Sequence, residues 1–378
     1  MQSIKFLHCA DVHIGAAQSF LGANAEKRKI EVLMTFELIM ETAKQQNVDV
    51  VLIAGDLFDS NRIEKSLVER TFAAISSISP IPVVFAAGNH DPLTSDSPFL
   101  GNNLPENLYV IPTKDSIVTL DDLKLKIYGK SFSGVYMQGE SQFSIKPQND
   151  GYRNIMVLHG EASSDLNSDY NSVTPSFVTN SGMDYIALGH IHKRSEVTNI
   201  GKTYFAYCGC PEGQGFDETD EKGVYIGELD DAGCNFKFIP TCRRMHLIQQ
   251  IDISGCESSA DVAPFVYESL KAKYGESFAD NLYKVILTGE VSEDFEVPVS
   301  EVSSRLENGV YFAKVRDNTS IRADFEAIAE NSDLKGVFVR KMLEKINNAD
   351  ESCKPILQNA LQIGLKAFNT EVGYREDK

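Results

Sequence analysis

The chain has 378 residues, which is enough for about two to three domains of ordinary size. Its 36 Lys and Arg against 54 Asp and Glu give a net charge of -18, so a polyanionic substrate has to be held locally rather than by the whole surface. The sequence has no apolar run of about 18 residues, and its 7 Cys stand at irregular spacings. We therefore expect a protein of the reducing cytoplasm with free thiols and no membrane segment.

The N-terminal part of the chain alternates short apolar runs with longer segments whose apolar residues recur at helical spacing. In order, these segments predict strand 4–9, helix 25–46, strand 48–54, helix 64–78 and strand 83–87. Two successive β-α-β units require right-handed crossovers, which place parallel strands side by side with helices packed on the sheet.

The pattern then changes to short alternating segments. They predict antiparallel strands within residues 109–129, with the same signal at 154–159 and 185–190, and three further strands within 204–239. These strands predict a second sheet that packs on the first. Residues 1–244 are therefore expected to form one α/β domain, a two-sheet sandwich flanked by helices.

Two further parts are predicted beyond this domain. Residues 245–320 read as a small α+β module, and residues 321–378 as a C-terminal helical segment. Helices 335–347 and 354–369 each carry an apolar stripe along one side. Two interpretations of these stripes stay open: they pack against their own chain, or part of them docks on a partner protein.

Polar side chains follow five of the predicted strands, each just after a short apolar run. The motifs CADVHIG, IAGDLFD, AGNHDP, VLHGE and ALGHIHK supply Asp11, His13, Asp56, Asp59, Asn89, His90, His159, His190 and His192. Because the carboxyl ends of neighbouring parallel strands meet at one edge of a sheet, we expect these side chains to converge. Polar capping of strand ends could explain any one motif, but it does not explain the ordered series.

Carboxylate, imidazole and amide oxygen are ligands that suit the dications of a hydrolase, provided that the coordination shell stays open to water and phosphate. Asp56 is the best candidate for a shared carboxylate, because an anion between two dications holds them roughly 3.5–4 Å apart. Asp11 and His13 point the same way from one turn and can bind one ion together. His8 lies inside the first strand and His246 begins the added module, so neither is expected to be a ligand.

The ordered series resembles the calcineurin-like metallophosphoesterase superfamily. Its layout is similar to the DNA-repair nucleases of that superfamily, the SbcD-type exonuclease subunits and their archaeal and eukaryotic double-strand-break counterparts. The resemblance implies the metallophosphoesterase sandwich, with the module 245–320 capping the active site. It also implies two divalent metal ions, for which we expect Mn²⁺, with Fe or Zn as alternatives for the same mixed nitrogen and oxygen ligands.

The resemblance also assigns roles to the motif residues. It gives two ligand sets that share one member: Asp11, His13 and His192 for one metal, Asn89, His159 and His190 for the other, and Asp56 as the bridge. His90 would be the catalytic histidine that binds neither metal. Asp59 would orient His90.

The function implied by the resemblance is a Mn-dependent DNA exonuclease or endonuclease that hydrolyses phosphodiester bonds at DNA ends in repair. A homodimer and an SMC-like coiled-coil ATPase partner are implied in the same way. A small-molecule phosphodiesterase or phosphatase would use the same metals, and the acidic net charge favours it. A non-catalytic scaffold for an ATPase is disfavoured, because a retired site has no chemical reason to keep every ligand.

One segment departs from the family pattern, which usually turns through a Pro-Gly-Ser type loop after the last histidine motif. Here Tyr207–Glu218 reads YCGCPEGQGFDE. Its glycines would let main-chain N–H groups approach a phosphate, whereas Glu212, Asp217 and Glu218 would repel one unless they face away. A loop that alters substrate choice and a plain hairpin between two strands are both open interpretations.

Overall fold

The computed structural model of the chain describes residues 2–140, 143–163, 168–219 and 221–369. The chain forms two compact units, Met1–His246 and Leu247–Lys378. The predicted α+β module and the predicted C-terminal helical segment therefore belong to the same unit. Among the described residues, no helix has the length and apolar character needed to cross a membrane.

Strands dominate the first unit. They are β1 (Ile4–Cys9), β2 (Val50–Ala54), β3 (Val83–Ala86), β4 (Leu108–Ile111), β5 (Ser116–Leu120), β6 (Leu125–Lys130), β7 (Met137–Glu140), β8 (Arg153–His159), β9 (Tyr170–Ser172), β10 (Tyr185–Gly189), β11 (Thr198–Ile200), β12 (Thr203–Tyr207), β13 (Gly223–Leu229) and β14 (Cys234–Pro240). The α-helices are α1 (Ala25–Gln45), α2 (Lys65–Ser76) and α3 (Pro175–Ser181). Helix α3 begins where the Thr174 side chain accepts a hydrogen bond from the Phe177 N–H, and it ends at left-handed Gly182.

The first sheet has the strand order β14-β13-β1-β2-β3-β4. Strands β1 to β4 are parallel, with Phe6 opposite Val50 and Val83 opposite Leu108. The two predicted β-α-β units are confirmed, because α1 and α2 connect the parallel strands β1, β2 and β3. The expectation of antiparallel strands within residues 109–129 is correct for the pair β5 and β6 but wrong for β4.

The second sheet has the strand order β11-β12-β10-β8-β6-β5. Strands β6, β8, β10 and β12 are parallel, with Tyr185 of β10 opposite both Ile155 and Tyr204. The expectation that the antiparallel pattern returns at 154–159 and 185–190 is therefore wrong. Both strands are buried along their whole length, and such continuous burial is typical of parallel strands that are covered on both faces.

The core of the first unit is layered. Phe6, Leu52 and Val157 belong to the apolar layer between the two sheets. Residues that alternate with these on the first sheet, such as Leu7, pack with Phe36 of α1 in a second layer. Fully burying one side chain of this size contributes roughly 1.5–3 kcal/mol. The predicted two-sheet sandwich flanked by helices is confirmed.

The second unit contains a small sheet and helices. Its strands are β15 (His246–Asp252), β16 (Leu282–Thr288), β17 (Glu290–Val291), β18 (Phe312–Asp317) and β19 (Ser320–Ile321), and its helices are α4 (Ser259–Tyr274), α5 (Val299–Glu307), α6 (Phe325–Ala329), α7 (Leu334–Asn347) and α8 (Lys354–Asn369). The three-stranded sheet has the order β15-β16-β18, and α4 and α5 pack on it through Val262, Val266 and Val302.

The apolar stripes of α7 and α8 pack against each other and against β19. Val339, Leu361 and Leu365 are buried in this cluster together with Ile321. The stripes thus stabilise their own unit, which favours the first of the two interpretations left open by the sequence. Other apolar residues of these helices are exposed: Leu334 retains 76% of its accessible surface and Ile356 retains 70%.

Candidate metal centre

The candidate ligands lie in the loops that follow β1, β2, β3 and β10 and, in the case of His159, at the last position of β8. Main-chain bonds join the first two loops, because the Asp11 N–H donates to Gly55 O at 3.1 Å and the His13 N–H donates to Asp56 O at 3.0 Å. Gly55 has a φ of 86°, and a Cβ at this position would lie 2.3 Å from His159 Nδ1. Only glycine lets the β2 loop pass so close to the histidine of the second sheet.

Four of the predicted ligands have a left-handed backbone. The φ angles of Asp11, His13 and Asp56 are 53°, 52° and 51°, and that of His190 is 101°. Such conformations disfavour residues with a Cβ, cost on the order of 1–3 kcal/mol each, and concentrate at functional sites. These backbone conformations lower the stability of the fold, but they direct the four side chains toward one another.

Asp56 lies at the centre of the converging side chains. Its Oδ2 is 3.3 Å from His159 Nε2 and 3.7 Å from His13 Nε2. On one side, His13 Nε2 is 3.0 Å from His192 Nε2. On the other, His159 Nε2 is 2.9 Å from Asn89 Oδ1. Asp56 therefore stands between the two sets of side chains, where a bridging carboxylate has to be.

The Asp11 carboxylate lies close to both sets of candidate ligands. Its carboxylate lies within 4.8 Å of ligand atoms of His13 and His192, and also within 4.8 Å of ligand atoms of Asp56 and His159. Burial is complete at Asp11 and raises the pKa of its carboxyl group, while the neighbouring imidazoles lower it. A buried carboxylate that faces several imidazoles is well suited to share a cation with them.

The hydrogen bonds of the imidazoles test whether a metal fits. His13 Nδ1 faces Asp59 Oδ1 at 3.2 Å and His192 Nδ1 faces Glu218 Oε1 at 2.5 Å, so we assign the proton to Nδ1 in both rings. Each Nε2 then carries a lone pair, and the two Nε2 atoms are only 3.0 Å apart. Two lone pairs at this distance repel each other unless a cation lies between them, and the oxygens of Asp11 and Asp56 complete a mixed ligand set.

The second set also fits a metal. His159 Nδ1 donates to the Ala54 carbonyl oxygen at 2.9 Å, so Nε2 is the ring nitrogen that faces the oxygens of Asp56 and Asn89. Burial lowers the pKa of His159, but the carboxylates of Asp56 and Asp11 outweigh it and raise the pKa to about 9. Without a metal, Nε2 therefore holds a proton at pH 7, and a bound cation would take the place of that proton. The site attracts positive charge strongly.

His190 stands at the border of this second set. Its main-chain N–H donates to the Asp11 carboxylate at 2.9 Å, and its ring centroid lies 5.2 Å from that of His159 and 4.6 Å from that of Tyr170. Burial and the neighbouring His159 lower its pKa to about 4, so the ring is neutral at pH 7. Its role as a ligand stays a prediction, because its ring nitrogens are not grouped with the other ligand atoms among the described residues.

His90 lies beside the candidate ligands and is the most exposed of these histidines. Its side chain is 44% exposed, and its ring centroid is 4.6 Å from that of His13. His90 Nδ1 donates to the Asp59 carbonyl oxygen at 3.1 Å, whereas the Asp59 carboxylate is 3.7 Å from His90 and 3.2 Å from His13. Asp59 thus holds His90 through its main chain and holds His13 through its side chain, which adds a contact that the sequence did not reveal.

Asp91 is a buried residue of the site that sequence reasoning missed. Its carboxylate accepts main-chain N–H groups of Leu57 at 2.8 Å, Phe58 at 3.1 Å and Gly88 at 2.8 Å, and of Asp56 at 3.2 Å. Burial, together with the charge of Asp56, raises its pKa to about 7. It ties the turn after β2 to the turn after β3, and its place directly after the AGNH sequence is the signal that could have identified it.

We expect Asp91→Asn to lower the free energy of unfolding of the metal-free protein by about 3 kcal/mol. An amide offers one acceptor oxygen where the carboxylate offers two, so at least one buried N–H loses its partner and faces a second donor. Chemical denaturation measures the change, with Asp96→Asn as the control because Asp96 is an exposed carboxylate nearby. Equal stabilities of the two variants would contradict this role of Asp91.

The acidic residues of Tyr207–Glu218 differ in whether they contact other protein groups or solvent. Glu212 is buried and pairs with Arg28 at 2.6 Å, and Glu218 contacts His192. Asp217 is exposed. Two of the three carboxylates therefore have partners inside the first unit, and the loop is more than a plain hairpin.

The two histidines that were set aside lie away from the candidate ligands. His8 is buried in β1, and its Nδ1 lies 2.8 Å from the Tyr185 hydroxyl. His246 is buried against Phe216, with ring centroids 5.3 Å apart. Within the described ranges, neither is grouped with other potential ligands.

The chain belongs to the calcineurin-like phosphoesterase family, whose model matches residues 4–194. The candidate ligands of both sets, from Asp11 to His192, lie within the matched segment. The part of the prediction that concerned the superfamily is confirmed.

Several curated proteins are similar to the chain. The metallophosphoesterase YhaO of Bacillus subtilis is 28% identical over 63% of this chain and 60% of its own length. The DNA double-strand break repair protein Mre11 of Methanopyrus kandleri is 27% identical over 61% of this chain and 55% of its own length. The chain thus spans about three fifths of these two relatives. The Mre11 protein of Archaeoglobus fulgidus is 25% identical over 99% of this chain and 88% of its own length.

Solved structures with a related fold are more distant. TT1561 of Thermus thermophilus has a TM-score of 0.39 and 10% identity, covering 63% of this chain and 99% of that protein. The calcineurin-like phosphoesterase YfkN of Bacillus subtilis has a TM-score of 0.38 and 14% identity, covering 63% of this chain and 91% of that chain. Scores of this size say nothing about substrate.

Proposed function

We propose that the chain is a Mn-dependent phosphodiesterase that hydrolyses DNA ends in repair, an SbcD-type nuclease subunit that acts in the cytoplasm. The observation that carries the phosphodiesterase part is the position of Asp56 between two sets of lone-pair donors, with the open histidine His90 beside them. Support for DNA as substrate comes from the relatives named as double-strand break repair proteins, one of which matches nearly the whole chain.

The side chains divide the work of such a reaction. Two dications would neutralise the oxygens of the phosphate and lower the pKa of an attacking water. Asp11, His13 and His192 would hold one ion, and Asn89, His159 and His190 the other, with Asp56 shared. The open side of the centre is left for the phosphate.

His90 is placed to act on the leaving oxygen. The Asp59 carbonyl oxygen receives its Nδ1–H, so Nε2 is free to hold and deliver a proton. Its main-chain N–H donates to Asp56 Oδ1 at 2.9 Å, which ties its position to the bridging carboxylate. A general acid in this place would contribute roughly 10²–10⁴-fold in rate.

A degradation assay tests the proposal. Linear duplex DNA, the same DNA as a closed circle, and bis-nitrophenyl phosphate are each incubated with the chain at graded Mn²⁺ concentrations. We expect Mn²⁺-dependent release of nucleotides from the linear DNA, loss of this activity with a chelator, and hydrolysis of the small ester. Intact DNA ends under conditions that hydrolyse the small ester would refute DNA as the substrate.

A small-molecule phosphodiesterase or phosphatase is the second candidate. The net charge of -18 favours it, because an acidic surface repels a long polyanion beyond the reach of the metals. The two candidates differ in salt dependence as well as in product, since DNA binding releases counterions and weakens steeply as salt is added. Turnover of DNA that does not change between about 50 and 200 mM salt would favour the small-molecule substrate.

An SMC-like ATPase partner and a homodimer are proposed on the same family grounds. If α7 and α8 bind the ATPase, their exposed apolar residues are the ones available to do so. We expect the double substitution Leu334→Ser and Ile356→Ser to weaken that complex by roughly 10-fold or more, because each apolar residue buried at an interface contributes on the order of 1 kcal/mol and every 1.4 kcal/mol is a factor of about ten. Co-sedimentation with the ATPase measures the loss, and unchanged binding would exclude this surface.

A further inference from the structure

The loop Tyr207–Glu218 places a carboxylate behind one of the metal ligands. Glu218 Oε1 lies 2.5 Å from His192 Nδ1, the ring nitrogen that faces away from the metal centre. The Glu218 side chain is only 14% exposed. The carboxylate is therefore held against the imidazole inside the protein.

Further contacts hold Glu218 in this orientation. Its second oxygen, Oε2, accepts the Gln214 N–H at 2.8 Å and lies 3.4 Å from the Cys210 thiol. Lys222 Nζ donates to the His192 carbonyl oxygen at 3.0 Å, which steadies the main chain of the ligand. The Glu218 carboxylate and the main chain of His192 are thus both held by further groups of the protein.

The loop itself is anchored in the core of the first unit. Buried Glu212 accepts hydrogen bonds from Arg28 Nη2 and Thr35 Oγ1, both at 2.6 Å, and from the Arg243 N–H at 2.7 Å. Arg28 and Thr35 both belong to α1, so the helix fixes the loop that carries Glu218. Such an anchored loop can hold the His192 ring to a narrow range of orientations.

A carboxylate that accepts the outer N–H of a metal-bound histidine fixes its tautomer, aims its ring and makes the ring a stronger ligand. In the opposite set, His159 Nδ1 donates instead to the neutral Ala54 carbonyl oxygen at 2.9 Å. His192 and His159 are therefore supported unequally.

We infer that Glu218 is a positioning residue of the metal centre: it sets the affinity of the metal that His192 holds and makes the two metal sites inequivalent. The inference rests on the proposed assignment of His192 as a ligand. Neither the motif series nor the match of residues 4–194 includes Glu218. The chemistry applies to a borderline dication such as Mn²⁺ whatever the phosphoester substrate is.

Equilibrium titration of the metal-free chain with Mn²⁺, followed by electron paramagnetic resonance, tests this inference without an activity assay. We expect Glu218→Ala to weaken one of the two Mn²⁺ sites roughly 10–100-fold and to leave the other unchanged, so that a single-ion spectrum replaces the spectrum of a coupled pair. Glu218→Gln is expected to lose less, because its amide oxygen still accepts the Nδ1 proton. Asp217→Asn is the matched control, since Asp217 is the exposed carboxylate next in the loop.

Thermal unfolding of the metal-free variants separates positioning from a general structural role, and we expect midpoints close to that of the parent. If Glu218→Ala does not fold, Glu218→Gln decides: selective weakening of one site supports the inference, and parent affinity at both sites overturns it. His192→Ala is the reference. If it also keeps two parent-like sites, the ligand assignment in the proposed function fails; if it loses one site while the Glu218 variants keep both, only the present inference fails.

Discussion

Asp56→Asn is expected to abolish tight binding of both metals at once. Asp56 Oδ2 lies 3.3 Å from His159 Nε2 and 3.7 Å from His13 Nε2, so the same oxygen faces both ligand sets. An amide removes the negative charge from between two dications that repel each other. The loss should exceed the 10–100-fold that is typical for residues placed behind a ligand, so we expect roughly 100-fold or more for each ion.

The variant should still fold. Asp56 Oδ1 accepts the His90 N–H at 2.9 Å, and the amide oxygen of Asn can accept the same bond. The hydrogen bond from the Asp56 N–H to Asp91 involves the main chain and is also kept. Metal analysis after gel filtration, with Asp122→Asn as an exposed carboxylate control, measures the effect. Two tightly bound metals in Asp56→Asn would exclude Asp56 as the bridge.

The convergence of the candidate ligands could be predicted from the sequence because it follows from a general property of parallel sheets. Once the runs around Cys9, Ala54 and Ala86 are recognised as parallel strands, the residues after them share one edge. Asp11, Asp56 and Asn89 follow these strands and do lie together. Prediction of the site needed only the strand ends.

The directions of β4, β8 and β10 were harder to predict from the sequence than the positions of the strand ends. Alternation and continuous apolar runs both occur in short strands, and the choice between parallel and antiparallel pairing depends on the connections between them. In β8 every residue from Arg153 to His159 is buried, which indicates a strand covered on both faces. The continuous apolar run of β8 is visible in the sequence, but the alternating segments beside it favour antiparallel pairing.

Residues that contact the candidate ligands from outside the metal centre could not be predicted from the sequence, for a different reason. Glu218 lies 26 residues from His192, in a loop that Glu212 anchors to α1 through Arg28. The same acidic residues look unfavourable for a phosphate when their direction is unknown. Tertiary structure decides whether such a carboxylate faces the substrate or supports a ligand.

His90→Asn is expected to keep both metals and to lose roughly 10²–10⁴-fold in the rate of phosphodiester hydrolysis. His90 Nδ1 is held by the Asp59 carbonyl oxygen at 3.1 Å, which leaves Nε2 to carry the proton for the leaving oxygen. The amide of Asn has a similar shape but is far too weak an acid to transfer a proton to the leaving oxygen. The main-chain bond from residue 90 to Asp56 is retained, so the bridging carboxylate stays in place.

Asp59→Asn helps to separate these roles. The Asp59 main-chain carbonyl still accepts the His90 proton, but the side chain loses the charge that faces His13 Nδ1 at 3.2 Å. We therefore expect a smaller loss of rate than in His90→Asn, accompanied by weaker binding of the metal that His13 holds. Single-turnover hydrolysis of bis-nitrophenyl phosphate at saturating Mn²⁺ measures the rate, and equilibrium titration measures the metals.

The metal content of His90→Asn decides between two roles that the geometry permits. His90, His13 and Asp56 have ligand atoms within 4.8 Å of one another, so His90 could be a ligand rather than an acid. If His90 is a ligand, its replacement causes the protein to lose a metal, and added Mn²⁺ restores part of the rate. If His90 is a general acid, the variant keeps both metals, and added Mn²⁺ does not restore the rate. Full activity of the variant would contradict both roles and would leave the leaving oxygen to be protonated by solvent.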